Sequence, residues 1–244
     1  MLLGTADVDD LLKDAPVVEA FSPDGIELGE VTCFQLSAEM RNISREALLP
    51  PGLHPTIPAS LTVQFWDVGT SNWGRFSMVV VRVSCRSGVR ARGLSTRAIC
   101  SDPAVTDDLR AIWGFPAVSG EVELRSSYHG VDATAVVDGD VVLEASGLDP
   151  DPMGLSDVQY TGTLNLAHTP RGPRLVQVEA HHLASRVERL QPYLHTFDSM
   201  ALGHNLLLPA REVAATVATE SVSIPAVRFV CSVDELAFNG TEAV

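Results

Sequence analysis

Short blocks in which apolar residues alternate with polar ones, or run together between turn residues, fill most of this chain, and both patterns predict strands. Ile26 to Ser37 is apolar and β-branched enough for a first strand. Leu61–Val68 alternates and ends at Gly69-Thr70-Ser71-Asn72, a turn-rich cluster. Arg75–Cys85 reads RFSMVVVRVSC, and Arg97–Cys100 resumes after SGVRARG. Further strands are expected at Val118–Tyr128, Val131–Val137 and Val141–Gly147, the last two joined by Asp138-Gly139, a hairpin signal. Tyr160–His168, Arg174–Ser185 and Ser221–Val230 complete the set.

Helical signals are fewer. Residues 44–58 carry a short helix that Pro50-Pro51 must stop, because proline cannot continue it. A second helix is expected at Pro103–Trp113, with Asp102 as its cap and Pro103 in the first helical position. Residues 1–15 form a mobile or helical acidic arm, with Asp7, Asp9, Asp10 and Asp14 toward solvent, and Ala210–Ala218 fits helix or strand equally well. Roughly ten strands with two or three short helices predict an α+β, mostly antiparallel β fold. Residues 1–244 are expected to form one domain, with 1–24 as an N-terminal arm. Closure into a barrel or cone would remove exposed edges and enclose a ligand cavity.

Composition narrows the class. The chain has 244 residues, 45% of them hydrophobic and 20% charged, with a formal net charge of −14. That balance is poor for binding a phosphate backbone, so no nucleic-acid partner is expected. No apolar run approaches the ~20 residues of a membrane-spanning helix. The start of the chain has no basic flank before a long apolar stretch, so a cytoplasmic protein without a membrane partner is expected. Cys33, Cys85, Cys100 and Cys231 lie far apart and read as free, buried thiols. His181 and His182 are adjacent and would point to opposite faces of a strand, and no other histidine spacing suits a metal. No phosphate-loop, dinucleotide or nucleophile-elbow motif occurs, so neither a cofactor nor a metal is expected. Lys13 is the single lysine beside sixteen arginines, which leaves one amine side chain for any imine chemistry.

Leu109-Arg110-Ala111-Ile112-Trp113-Gly114-Phe115-Pro116 is the most informative stretch. An aromatic-Pro pair directly after a short helix resembles the acetoacetate decarboxylase family. Leu48-Leu49-Pro50-Pro51-Gly52-Leu53, the turn Thr70-Ser71-Asn72-Trp73-Gly74-Arg75-Phe76, the hairpin Val131–Leu148 and Gly172-Pro173-Arg174 are similar to further family features in the same order. The resemblance spans most of residues 25–230. It implies a β-cone or barrel with an internal ligand cavity, an oligomeric assembly, and chemistry on β-keto acids and related carbonyl compounds.

The departures matter more. The family's Schiff-base lysine and its cationic neighbour would stand at Ala117 and Val118, and neither is a nucleophile. A pocket glutamate of the family falls at Met78, and a second near Gln64 or Val63; the arginine of its N-terminal strand has no counterpart between Gly25 and Thr32. These replacements predict an apolar, remodelled pocket walled by Trp66, Phe76, Met78, Trp113, Phe115, Ala117 and Val118. Phe76 and Met78 share a strand face, while Arg75 belongs to the other and reads as a surface cation. Gln64 is the polar candidate, its amide hydrogen-bonding either a substrate carbonyl or backbone. Glu179 and His181 share a face as a possible acid–base pair.

Three functions compete on these residues. The first is a non-covalent cyclase or isomerase of secondary metabolism, cycloaddition included, acting on an apolar polyketide-like carbonyl substrate. The second is a non-catalytic carrier of an apolar small molecule. The third is a lysine-independent decarboxylase or dehydratase using a group such as His129 or Glu179.

Overall fold

Strands carry most of the chain in the computed structural model, which describes residues 3–244, with the side chains of Ala237 and Phe238 outside the description. The first half contains β1 (Ile26–Met40), β2 (His54–Pro55), β3 (Ser60–Ser71), β4 (Phe76–Ser87), β5 (Arg90–Cys100) and β6 (Ala117–Ser119). The second half adds β7 (Glu121–Ser127), β8 (Gly130–Val137), β9 (Asp140–Pro152), β10 (Gly162–Thr169) and β11 (Gly172–Val178). Two long strands follow, β12 (His181–Phe197) and β13 (Pro209–Ile224), and then the short β14 (Phe229–Cys231) and β15 (Thr241–Ala243). The helices are α1 (Val8–Leu12), α2 (Asn42–Leu48), α3 (Pro103–Trp113) and α4 (Ala237–Gly240).

All strands join one sheet in the order β15-β14-β11-β10-β5-β4-β3-β1-β13-β12-β9-β8-β7, with β2 added on β4 and β6 on β5. Pairing is antiparallel except between β10 and β5 and between β5 and β6. The sheet curls until β7 packs over β3, β4 and β5. Side-chain alternation therefore buries both faces of the central strands. Phe34, Leu36, Val63, Phe65, Val79 and Val81 point into the fold of the curl. Cys33, Trp66, Met78 and Val80, one position out of phase, point to the other side, where α3 and the ends of β11 and β13 cover them. This double burial explains why residues 76–85 read as one apolar run.

Local signals set α3 at its expected residues. Asp102 accepts from the N–H of Ala104 at 2.8 Å and of Val105 at 3.0 Å, and Pro103 opens the first turn. Gly114 closes it in the left-handed region (φ 66°), with Phe115 N–H donating back to the Leu109 carbonyl at 3.1 Å. The Asp138-Gly139 hairpin also stands, both residues having positive φ.

Other expectations change. Ala210–Ala218 lies within β13, because pairing with β1 on one edge and β12 on the other outweighs its alanine-rich helix propensity. The single strand expected at Arg174–Ser185 is broken at Glu179-Ala180 into β11 and β12, and β5 begins at Arg90 rather than Arg97. Ser221–Val230 is likewise divided between β13 and β14. The acidic arm is tied down by Gly4 N–H to the Leu53 carbonyl at 3.0 Å and by the packing of Val8, Leu11 and Leu12 on the core. Met1 and Leu2 fall outside the described residues. All four cysteines are free and buried. No helix among the described residues is long and apolar enough to cross a membrane.

Candidate active site

The face that carries Trp66 on β3 and Met78 and Val80 on β4 opens, one step further along each strand, into a cavity of about 310 Å³. Gln64 and Trp66 enter it from β3, Arg82 from β4, and Arg90 and Arg92 from β5. Thr161 comes from the loop before β10, Gly162 and Thr163 from its start, Glu179 from just after β11, His182 from the start of β12 and Ile224 from the end of β13. Phe115, delivered by the turn after α3, closes the wall. Arg82 shares the face of Met78 and Val80 by strand alternation, and a β-bulge at Thr96 on the neighbouring β5 lies beside it.

Arg82 is the most buried cation facing this space, 5% exposed. Its partners are all neutral. One Nη2–H goes to the Gln64 amide oxygen, and Nη1 donates to Thr163 Oγ1 at 2.9 Å and to the Thr161 carbonyl at 3.3 Å. No carboxylate pairs with it, and burial pushes its guanidinium down to about 10, which leaves it charged at neutral pH. Arg82 Nε and the indole Nε1 of Trp66 are buried with no acceptor in the protein. An unneutralised buried cation beside unpaired donors is costly unless a ligand supplies the missing negative charge.

Arg92 is different, because its charge is matched. It makes a two-pronged pair with Glu179, Nη1 to Oε2 at 2.9 Å and Nη2 to Oε1. The guanidinium lies against Gly162, where a Cβ would meet Nη1 at 1.9 Å, so only glycine leaves room for the pair.

The same cavity holds a second group. Glu220, on β13 and 4% exposed, accepts the Tyr160 hydroxyl at 2.6 Å on one oxygen and His182 Nδ1–H at 3.0 Å on the other. The imidazole stacks on the Tyr160 ring with centroids 3.6 Å apart and meets the Trp66 edge at 6.0 Å. Commitment of Nδ1 to Glu220 fixes the tautomer and leaves Nε2 as the nitrogen available to a ligand. Burial, reinforced by the hydrogen bond to Glu220, pushes the Tyr160 phenol up, so it remains a donor. Burial likewise pushes the Cys33 thiol up; it receives an N–H from Gln64 at 3.3 Å and is no thiolate nucleophile. Replacing Glu220 with alanine strips acceptors from two buried donors at once. The expected cost is about 3 kcal/mol of unfolding free energy, read by urea denaturation.

The residues singled out from the sequence divide. Gln64, Trp66 and Phe115 line the cavity. Phe76, Met78, Trp113 and Ala117 are packed in the apolar cluster beside it, and Val118 packs on the cluster in the fold of the curl. The expectation of an apolar pocket is corrected by Arg82, Arg90, Arg92, Glu179 and His182 in its wall. Glu179 is engaged by Arg92, while His181 is exposed and His129 stands outside the wall. Arg75 is exposed and pairs with Asp67 at 3.3 Å. Lys13 is 71% exposed, pairs with Asp10 at 2.5 Å and does not line the cavity. Among the described residues no cluster of His, Cys, Asp and Glu suits a metal ion.

No family model matches the sequence, and no curated protein matches it at a significant level. Solved structures do match. An acetoacetate decarboxylase from Legionella pneumophila superposes with a TM-score of 0.75 at 15% identity, over 93% of this chain and 96% of that one. The enduracididine biosynthesis enzyme MppR, with HEPES bound, gives 0.68 at 18% identity over 85% and 88%. An acetoacetate decarboxylase-like enzyme from Sphingomonas wittichii gives 0.69 at 13% identity over 84% and 92%. At these identities the likeness is one of fold: the chain has the acetoacetate decarboxylase-like fold, mostly antiparallel β with a few short helices.

Proposed function

We propose that this protein is an enzyme that isomerises or cyclises a small carbonyl substrate bearing a carboxylate, by non-covalent acid–base chemistry in the cavity. The observation that carries the reading is two groups lining one cavity: an unneutralised Arg82, and His182 oriented by Glu220. The substrate carboxylate supplies the charge that Arg82 lacks and the acceptors that Arg82 Nε and Trp66 Nε1 lack. His182 Nε2 takes a proton from the carbon beside the carbonyl, and Glu220 steadies the imidazolium that forms. The proton then returns at a different carbon, or the enolate closes a ring. The cavity volume of about 310 Å³ suits a compact reacting end of the substrate. With no lysine in the wall, the enolate rather than an imine is the intermediate to expect. The complex of the fold relative MppR with pyruvate supports a keto acid as the probe.

The test is proton exchange. Pyruvate is incubated with the protein in deuterium oxide, and the methyl signal is followed by NMR. Exchange above the buffer rate is expected. Tight pyruvate binding without exchange would instead favour the carrier reading, and release of carbon dioxide from acetoacetate the lyase reading.

A further inference from the structure

Outside the cavity the chain carries a second feature that keto-acid chemistry does not use. A groove of about 590 Å³ runs along the β4–β5 hairpin, lined by Arg86, Arg90, Arg92, Gln177 and Phe229. A side pocket of about 390 Å³ extends it past Arg228. Arg90 stands in the wall of the cavity, the groove and the side pocket, so the three spaces adjoin at one residue.

Charge is what distinguishes this region. The protein has a net charge of −14, and most of its arginines are paired with a carboxylate or a carbonyl. Among the described residues, Arg41, Arg86, Arg90 and Arg228 have no side-chain hydrogen bond or ion pair; Arg86 and Arg90 line this groove and Arg228 its side pocket, while Arg41 stands alone at the start of α2. No Asp or Glu lines the larger groove, and Glu179, which lines the side pocket, is taken by Arg92. Cations gathered without counter-ions repel one another, and a ligand of two or more negative charges relieves that repulsion. Guanidinium forks match phosphate oxygens two at a time. Phe229, 42% exposed at the same wall, offers a ring face that water solvates poorly.

We propose that this groove seats the distal end of the substrate, a nucleotide-type handle. Its phosphates lie against Arg86, Arg90 and Arg228, and its base lies on Phe229. The assignment rests on the reading that the cavity works on the substrate's carbonyl end, since Arg90 then joins handle to reacting group. It also gives the acidic protein a local positive field to draw a polyanion to the cavity mouth.

The experiment is binding, not turnover. The full chain is titrated calorimetrically with ADP, with pyrophosphate and with adenosine, at low and high salt. ADP is expected to bind most tightly, adenosine least, and affinity for both phosphate probes to fall with salt. In the double variant Arg86→Glu/Arg228→Glu, ADP affinity should drop roughly a hundredfold, with the melting temperature unchanged because both side chains are exposed. Phe229→Ala should weaken ADP and leave pyrophosphate as it was. Absence of ADP and pyrophosphate binding at millimolar concentration overturns the proposal, as does binding that the double variant retains. Equal affinity for ADP and pyrophosphate overturns the base on Phe229. Pyruvate exchange needs none of these arginine variants, so failure there and failure here are separate results.

Discussion

His182→Gln is expected to cut pyruvate methyl exchange by roughly a hundredfold to ten-thousandfold, the usual worth of a positioned general base. The argument is geometric. Nδ1 is held at 3.0 Å by a buried carboxylate, the ring is clamped on Tyr160, and Nε2 is what remains for a ligand. Glutamine keeps a donor for Glu220 but offers no nitrogen lone pair that can take a proton. Glu220→Gln should fall between wild type and His182→Gln, since an amide can still accept from Nδ1–H but no longer balances an imidazolium. Tyr160→Phe should leave exchange closer to wild type, because its hydroxyl is spent on Glu220 at 2.6 Å. NMR exchange rates for the three variants, with urea midpoints to confirm folding, give that order or refute it. A His182→Gln protein that exchanges as fast as wild type removes the base from the mechanism.

Local physics was legible in the sequence where it acts alone. The cap at Asp102, the proline at 103 and the Asp138-Gly139 turn each act through neighbours in the chain, and each element forms at its expected place. The length of β13 could not be read this way. Its alanines gain strand geometry only from partners on β1 and β12, far off in sequence. Resemblance to the acetoacetate decarboxylase family led to the right fold and to Gln64, Trp66 and Phe115 in the cavity wall, yet its missing charges suggested an apolar pocket. The charges are present at other positions. Arg82 carried a readable signal, since a lone arginine inside SMVVVRVSC on a strand buried on both faces must have a reason to be there. His182 was half visible, because adjacent histidines on a strand send one ring to each face. Glu220 and Tyr160 offered none, their meeting being set by how the end of β13 packs beside the loop before β10.

Arg82→Met is expected to lower pyruvate affinity about a hundredfold while leaving the fold as stable as before, to within about 1 kcal/mol. The two effects have one cause. Arg82 is held without a carboxylate partner, so its desolvation is offset only by hydrogen bonds to Gln64, Thr163 and the Thr161 carbonyl. Methionine of similar length removes the buried charge and fills much of the same space. The freed Gln64 oxygen and Thr163 hydroxyl face a cavity that water can enter, so they need not stay unpaired. Contrast this with Glu220→Ala, where the stranded Tyr160 hydroxyl and His182 Nδ1–H are expected to cost several times more. Calorimetric titration with pyruvate and urea denaturation of both variants give the two numbers. A structural cation would show the reverse for Arg82→Met, with stability lost and affinity kept. Loss of affinity at unchanged stability is the pattern of a charge held in place for a ligand.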